Sequence, residues 1–187
     1  MTLHIAGLGP GDATLLTGET ATLLRSGMPV LLRTRHHPAA SELDPGGAWA
    51  DCDDLYATSS GFSNVYEAIA ARVIERSSSA DLIYAVPGSP LIAESTVPLI
   101  LEQAGAAGVE VRIYTAVSFV DVAATALRKD LKDVQLCDAL DLRIDSWRPA
   151  LVSQVFSRDT AAALKLELLE IYPPEHEVAV LHALGSA

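Results

Sequence analysis

The sequence is short of cysteine, of aromatic residues, of positive charge and of long apolar runs, and each shortage closes a class of function. Two cysteines, Cys52 and Cys137, without a C-x-x-C pair give neither a disulfide framework nor a cysteine-based zinc site. Thirteen Lys and Arg against 24 Asp and Glu leave a formal net charge of −11, which argues against nucleic acid as a partner. No apolar run approaches the roughly 20 residues that span a bilayer, and the first residues carry no signal-peptide pattern. The expectation is a cytoplasmic protein without membrane contact. Neither an internal repeat nor a low-complexity tract is visible. What the 187 residues do have is 50% hydrophobic content dominated by Ala, Leu and Val, with aromatics at only 5%. That suits a folded α/β chain with a sizeable core.

Apolar runs alternate with helical spacing along most of the chain. Thr2–Ala6, Met28–Leu32, the run beginning at Asp81 and Val109–Tyr114 are expected strands. Helices are expected over about Leu15–Ser26, from a cap at Ser63 to about Arg76, and over Ile92–Ala104. "DPGGAWADCDD" reads as turn and loop. Strand–helix alternation implies a mostly parallel sheet with helices on its faces. Beyond about residue 128 the texture changes: "KDVQLCDAL", "PALVSQVFS" and "HEVAVLHAL" are expected strands, with one helix, Thr160–Ile171, between the last two. The reading is an N-terminal α/β domain over 1–128 and a smaller α+β domain over 129–187, with a cleft between them as the expected ligand site.

The stretch "HIAGLGPGDATLLT" sets a strand, a loop with glycine at every second position, and a helix in succession. A dinucleotide loop reads G-x-G-x-x-G. Here Gly7, Gly9 and Gly11 place the third glycine one residue early, and Asp12 follows. The G-K-[ST] ending of a nucleoside triphosphate loop is absent, and Pro10 removes an N–H that a phosphate cradle would use. The loop allows close backbone approach by something other than a pyrophosphate.

Three loops together resemble the tetrapyrrole methylase family of class III S-adenosylmethionine-dependent methyltransferases: "GLGPGD" after the first strand, "VPGSPLIAE" after a later one and "TAVSF" after the next. "LRTRHHP", "DDLY", "YAVPGSPL", "SFVD", "DALDL" and "LLEIYPPEHEV" resemble more narrowly the branch fused to a MazG-type nucleotide pyrophosphohydrolase. The resemblance runs over essentially the whole chain. It implies the tetrapyrrole methylase fold, S-adenosylmethionine as cofactor, a homodimer, and a fused or partner MazG-type domain. Carried over, the cofactor pocket takes Leu8, Gly9 and Pro10 from the first loop, Gly88, Ser89 and Ile92 from the second, and Ser118 and Phe119 from the third. Gln154 and Val155, with His182 and Ala183, stand on the adenosine side. Ser89 replaces the aspartate of the family's GDP motif, and Thr115-Ala116 replaces the Pro-Gly of PGxS. The chain stops at "LHALGSA", where the family pattern continues with another strand, so the second domain is expected to be incomplete.

Several polar residues carry two readings each. Asp12 either contacts a methyl acceptor or simply begins a helix. Arg33, Arg35, His36 and His37 form a cationic spot that either holds substrate carboxylates or phosphates, with Arg33 and His37 as contacts, or is a solvated loop. The adjacent His36 and His37 diverge and lack a third ligand, so no metal is expected. Glu94 and Asp121 are candidates for a general base, or are helix-start acids; no catalytic residue is assigned. Ser118 lacks a G-x-S-x-G elbow, so a ligand-contacting or helix-capping hydroxyl is expected there rather than a nucleophile. Glu167 and Glu170 have the E-x-x-E spacing of magnesium pyrophosphohydrolases but stand on one helix without partner acids. Two functions follow: methyl transfer to an unidentified small acceptor, or a non-catalytic regulatory or scaffold module of a pyrophosphohydrolase.

Overall fold

A computed structural model describes residues 1–58 and 61–186. The chain divides into two compact units: residues 1–123 with the segment from Ala183 onward, and Ala124–His182.

The first unit is built on a five-stranded sheet in the order β3-β2-β4-β1-β5, parallel at every pairing. Its strands are β1 (Thr2–Gly7), β2 (Val30–Leu32), β3 (Ala50–Asp51), β4 (Leu82–Val86) and β5 (Glu110–Ile113). Helices α1 (Gly18–Leu24), α2 (Pro38–Leu43), α3 (Asp53–Thr58), α4 (Phe62–Ser77) and α5 (Thr96–Ala104) connect them, and α6 (Phe119–Leu127) leads out of the unit. Alternate residues of each strand serve opposite faces. Leu3, Ile5, Leu31, Leu82, Tyr84 and Val86 join Val65, Ile69 and Val73 of α4 and Val97 and Ile100 of α5 on one face. Ala6, Val30, Leu32, Ile83 and Ala85 join Leu23 and Leu24 of α1 and Ala39 and Ala40 of α2 on the other. Because both faces are covered there, the inner strands β2 and β4 read as continuous apolar runs rather than alternating ones.

Local chemistry moves several element boundaries from those expected. The helix expected from Leu15 splits into a 3-10 turn, Ala13–Leu15, started by Asp12, and α1, capped by Thr17 on Thr20 N–H at 3.2 Å. Ser63 does not cap α4; Gly61, at φ 94°, precedes the helix and Ser63 lies within it. The helix expected from Ile92 begins only at Thr96, because Ala93 sits at φ 53° and the chain turns before it can coil. "DPGGAWADCDD" contains β3 and the first residues of α3, and β3 was hidden because two residues carry no period. α2 was not expected from "RTRHHP"; Pro38 at its first turn supplies a preset φ.

The second unit holds β6 (Gln135–Asp138) and β7 (Ala150–Ser153), paired in parallel, and α7 (Arg158–Ile171). α7 begins two residues before the expected Thr160, with Ser157 Oγ accepting from Thr160 N–H at 3.0 Å. The expected strand "HEVAVLHAL" is not one. Its alternation is present, but among the described residues no strand pairs with it, and Val178 and Val180 are 65% and 86% exposed.

Candidate functional site

The connections from β1 and β4 leave in opposite directions, β1 toward β2 and β4 toward β5 on the far side of the sheet. Such a divergence at the carboxyl ends of neighbouring parallel strands is where open α/β sheets bind ligands. The two loops that start there are joined. Gly9 N–H donates to the Gly88 carbonyl at 3.1 Å, and Gly88 N–H donates to the Gly9 carbonyl at 2.8 Å. Gly9 and Gly88 hold φ of 74° and 68°, a region side-chain-bearing residues enter only with strain. A Cβ on Gly7 would stand 2.3 Å from the Gly88 carbonyl oxygen, so the strand end also needs glycine. At Gly88 a Cβ would meet nothing within 4 Å, which leaves that backbone open to approach.

The sequence-derived positions take distinct places. Leu8 is fully buried in the core, and its N–H donates to the Val86 carbonyl at 2.8 Å, so its side chain packs behind the loop. Pro10, Ser89 and Ile92 are half-buried on the two joined loops. Ser118 is buried at the start of α6; its N–H and Oγ both donate to Asp121 Oδ2 at 2.7 Å, and Phe119 beside it is half-buried. These hydrogen bonds hold the Asp121 carboxyl below the usual aspartate range and make it a helix cap. Asp12 accepts from Thr14 N–H at 3.0 Å and from the Thr14 hydroxyl, while its own N–H donates to the Gly185 carbonyl at 2.9 Å. Ala183, in the same returning segment, is exposed at φ 51°. In the second unit, Gln154 ends β7 at φ 64°, half-buried; Val155 and His182 are exposed.

The cationic spot is neutralised from within. Arg33 Nη1 lies 2.7 Å from Glu94 Oε2, whose side chain is 2% exposed. Glu94 Oε1 accepts from Thr96 N–H at 2.9 Å and Thr96 Oγ1 at 2.6 Å, and that hydroxyl meets Tyr84 OH at 2.8 Å. Burial opposes the charge of Arg33, but Glu94, aided by Tyr56, Tyr84 and Tyr66, outweighs it and raises the arginine pKa. Arg35 is bound by Asp44 and Asp51, both at 3.1 Å. His36 is 89% exposed, 4.0 Å from Asp53. Both general-base candidates are therefore engaged, Glu94 by an arginine and Asp121 by a cap. A cavity of about 360 Å³ opens beside Arg33, lined by Thr34, His36, Asp53 and Tyr56 as well. Among the described residues Arg33 Nε and Tyr56 OH are buried there without a partner, and burial pushes the Tyr56 hydroxyl up to about 12.

His37 is buried at the entry to α2, with Nε2 3.0 Å from the Gly9 carbonyl oxygen. Sequence reasoning missed both this contact and the Arg33–Glu94–Thr96–Tyr84 chain, since the partners lie 28 and 61 residues apart and carry no periodic signal. Glu167 and Glu170 are exposed on α7. Among the described residues no three His, Cys, Asp or Glu gather as metal ligands, and no helix is long and apolar enough to cross a membrane.

The chain is similar to several known proteins. The uncharacterized protein YabN of Bacillus subtilis (strain 168) is 34% identical over 189 residues, which is 98% of this chain and 39% of that protein. This chain thus spans well under half the length of that relative. Among solved structures, uroporphyrin-III-C-methyltransferase from Thermus thermophilus superposes with a TM-score of 0.68 at 20% identity, covering 93% of this chain and 73% of that one. Precorrin-6Y methylase from Archaeoglobus fulgidus gives 0.58 at 22%, covering 81% and 72%. The α/β fold with a parallel five-stranded sheet flanked by helices is the fold of these neighbours. The sequence pattern of the tetrapyrrole (corrin/porphyrin) methylases matches residues 2–187, and the chain belongs to that family.

Proposed function

We propose that this chain binds S-adenosylmethionine at the joined glycine loops of its first unit and transfers the methyl group to a small acceptor. The observation that carries the reading is the Gly9–Gly88 pair at the diverging strand ends, with open space over Gly88, in a chain of a methylase family. The residues present suit such a group. Gly88 admits close backbone approach, Ile92 on the same loop and Phe119 at the start of α6 offer half-buried apolar surface, and Arg33 and Glu94 cancel each other's charge. When bound, the group supplies an electrophilic methyl carbon on a sulfonium sulfur. The chain's own contribution is to orient: an in-line displacement gains most of its rate from holding donor and acceptor at near-attack distance, and fixed loops provide that. Gln154, Val155, His182 and Ala183 are proposed for the adenosine side, and a cytoplasmic homodimer is the proposed working form.

Two observations favour a second reading, a regulatory or scaffold module of a MazG-type pyrophosphohydrolase: Ser89 stands where the family carries an aspartate, and the relative YabN is much longer than this chain. Isothermal calorimetry with S-adenosylhomocysteine separates them. Micromolar binding that is lost in Gly88→Val, followed by turnover with some acceptor, supports the transferase. Absence of binding overturns it. Binding without turnover, combined with altered pyrophosphohydrolase kinetics when such a domain is attached, supports the module.

A further inference from the structure

We propose that His37 is the positioning residue of the first glycine loop: a neutral imidazole that carries its hydrogen on Nε2 and ties off the Gly9 carbonyl, fixing the paired turns a ligand meets. The contact is chemical necessity once the distance is given. A carbonyl oxygen only accepts, so the ring nitrogen 3.0 Å away must be the N–H, and in a neutral ring Nδ1 is then bare. The Gly9 oxygen already accepts from Gly88 N–H at 2.8 Å, and its two lone pairs are filled by the two donors. Since Gly9 N–H donates to Gly88, neither polar backbone group of Gly9 remains for a ligand. Gly9 is a knot holding two loops together, and polar contact with any ligand falls to its neighbours.

The ring is itself aimed by backbone. His37 precedes α2 in extended conformation (φ −144°, ψ 132°), Pro38 fixes the first turn behind it, and the His37 carbonyl accepts from Ala40 and Ser41 N–H at 3.1 and 3.2 Å. His37 N–H donates to the Arg35 carbonyl at 2.8 Å. Nδ1 is sealed from solvent and without a partner among the described residues, so a second hydrogen there would face no acceptor. Burial accordingly depresses the imidazole pKa; the Gly9 bond opposes this and the charge of Arg33 adds to it. A ring closed off in this way neither shuttles protons nor reaches a substrate, which distinguishes it from the cationic contact that its place in "RTRHHP" suggests.

The inference rests on the donor-binding reading only for what the loop is held ready to receive, and two readouts keep the matters apart. In nitrogen-detected NMR of the intact chain at pH 7, His37 is expected as the neutral Nε2–H tautomer; an Nδ1–H tautomer or a charged ring overturns the proposal whatever the protein binds. In His37→Phe, the Gly9 and Gly88 amide resonances are expected to move and S-adenosylhomocysteine affinity to fall about tenfold, the size of one hydrogen bond. His37→Gln, which returns an N–H donor, recovers part of that loss. Unmoved Gly9 and Gly88 resonances overturn the proposal. Wild-type protein that binds no S-adenosylhomocysteine overturns the functional reading, while the tautomer and the glycine resonances still decide the role of His37. Should His37→Phe fail to fold, the wild-type tautomer and His37→Gln carry the decision.

Discussion

The two units share one chain and a similar share of hydrophobic residues, yet they differ in how they bury them and in their use of glycine. In the first, Leu3, Ile5, Leu31, Tyr84, Ile69 and Ile100 are wholly buried between sheet and helices. In the second, only Cys137, Ala139 and Leu164 are buried apolar residues, while Trp147 and Val180 are 94% and 86% exposed. All twelve glycines lie in the first unit, and none falls between residues 124 and 182. The second makes its left-handed turns with Arg128 (φ 52°) and Gln154 (φ 64°), which carry side chains. Hydrophobic content therefore does not measure burial. A two-stranded sheet has too little area to cover what its residues could bury, whereas a five-stranded sheet flanked on both faces encloses its inner strands β2, β4 and most of β1, leaving the edge strand β5 largely exposed.

Hydrogen exchange is the most direct way to break this comparison. Amides of β1 and β4 should open about a thousandfold less often than those of β6 and β7, since local opening follows buried contact. Equal protection in both sheets would show that exposure in the second unit does not weaken it. Paired truncations come next. Ile69→Ala, at a fully buried position, should cost about 2–5 kcal/mol by denaturant titration. Leu166→Ala, at a position 66% exposed, should change stability by less than about 0.5 kcal/mol.

Glycine offers a third contrast. Gly7→Ala sets a Cβ against the Gly88 carbonyl oxygen and the Ala116 Cβ at 2.3 and 2.5 Å, and should lose about 2 kcal/mol and distort the joined loops. Arg128→Gly runs the other way, relieving a left-handed side-chain residue for a gain of up to about 1 kcal/mol. A loss there would mean that the arginine side chain contributes more than its backbone strain costs.

A pH series sharpens the comparison from another side. Both His4 and His37, in the first unit, have pKa values lowered chiefly by burial. A histidine with a depressed folded pKa binds fewer protons folded than unfolded. Its contribution is fully present above its unfolded pKa of about 6.5 and is lost as pH falls through the folded value. The stability of the first unit should decline below about pH 6.5, and His37→Phe should flatten that decline. The smallest effect expected is at the exposed pair Arg143–Asp141, 85% and 71% exposed at 3.1 Å, where Asp141→Asn should change the melting point within error even at low salt.

How far the sequence could be read varied with the range of the interaction. Strands β1, β2 and β4 were legible because continuous apolar runs must be buried on both faces. The three glycine loops were legible because turns of this kind restrict residue type. The strand reading of "HEVAVLHAL" failed for the complementary reason: alternation shows what a segment could pair, not that a partner strand lies beside it. The short β3 left no pattern at all.

By itself the sequence determined most of the strand–helix alternation of the first unit, four of its five strands, the glycine loops and the family. Periodicity, glycine stereochemistry and short motifs act within a few residues and so are written locally. Only the tertiary structure decided that Glu94 cancels Arg33, that Asp121 is a cap, and that His37 closes the Gly9 carbonyl. The first and last of these join residues far apart in the chain, and hydrogen bonds and ion pairs depend on distances of about 3 Å. A residue type states what a side chain can bond; the fold selects which partner arrives.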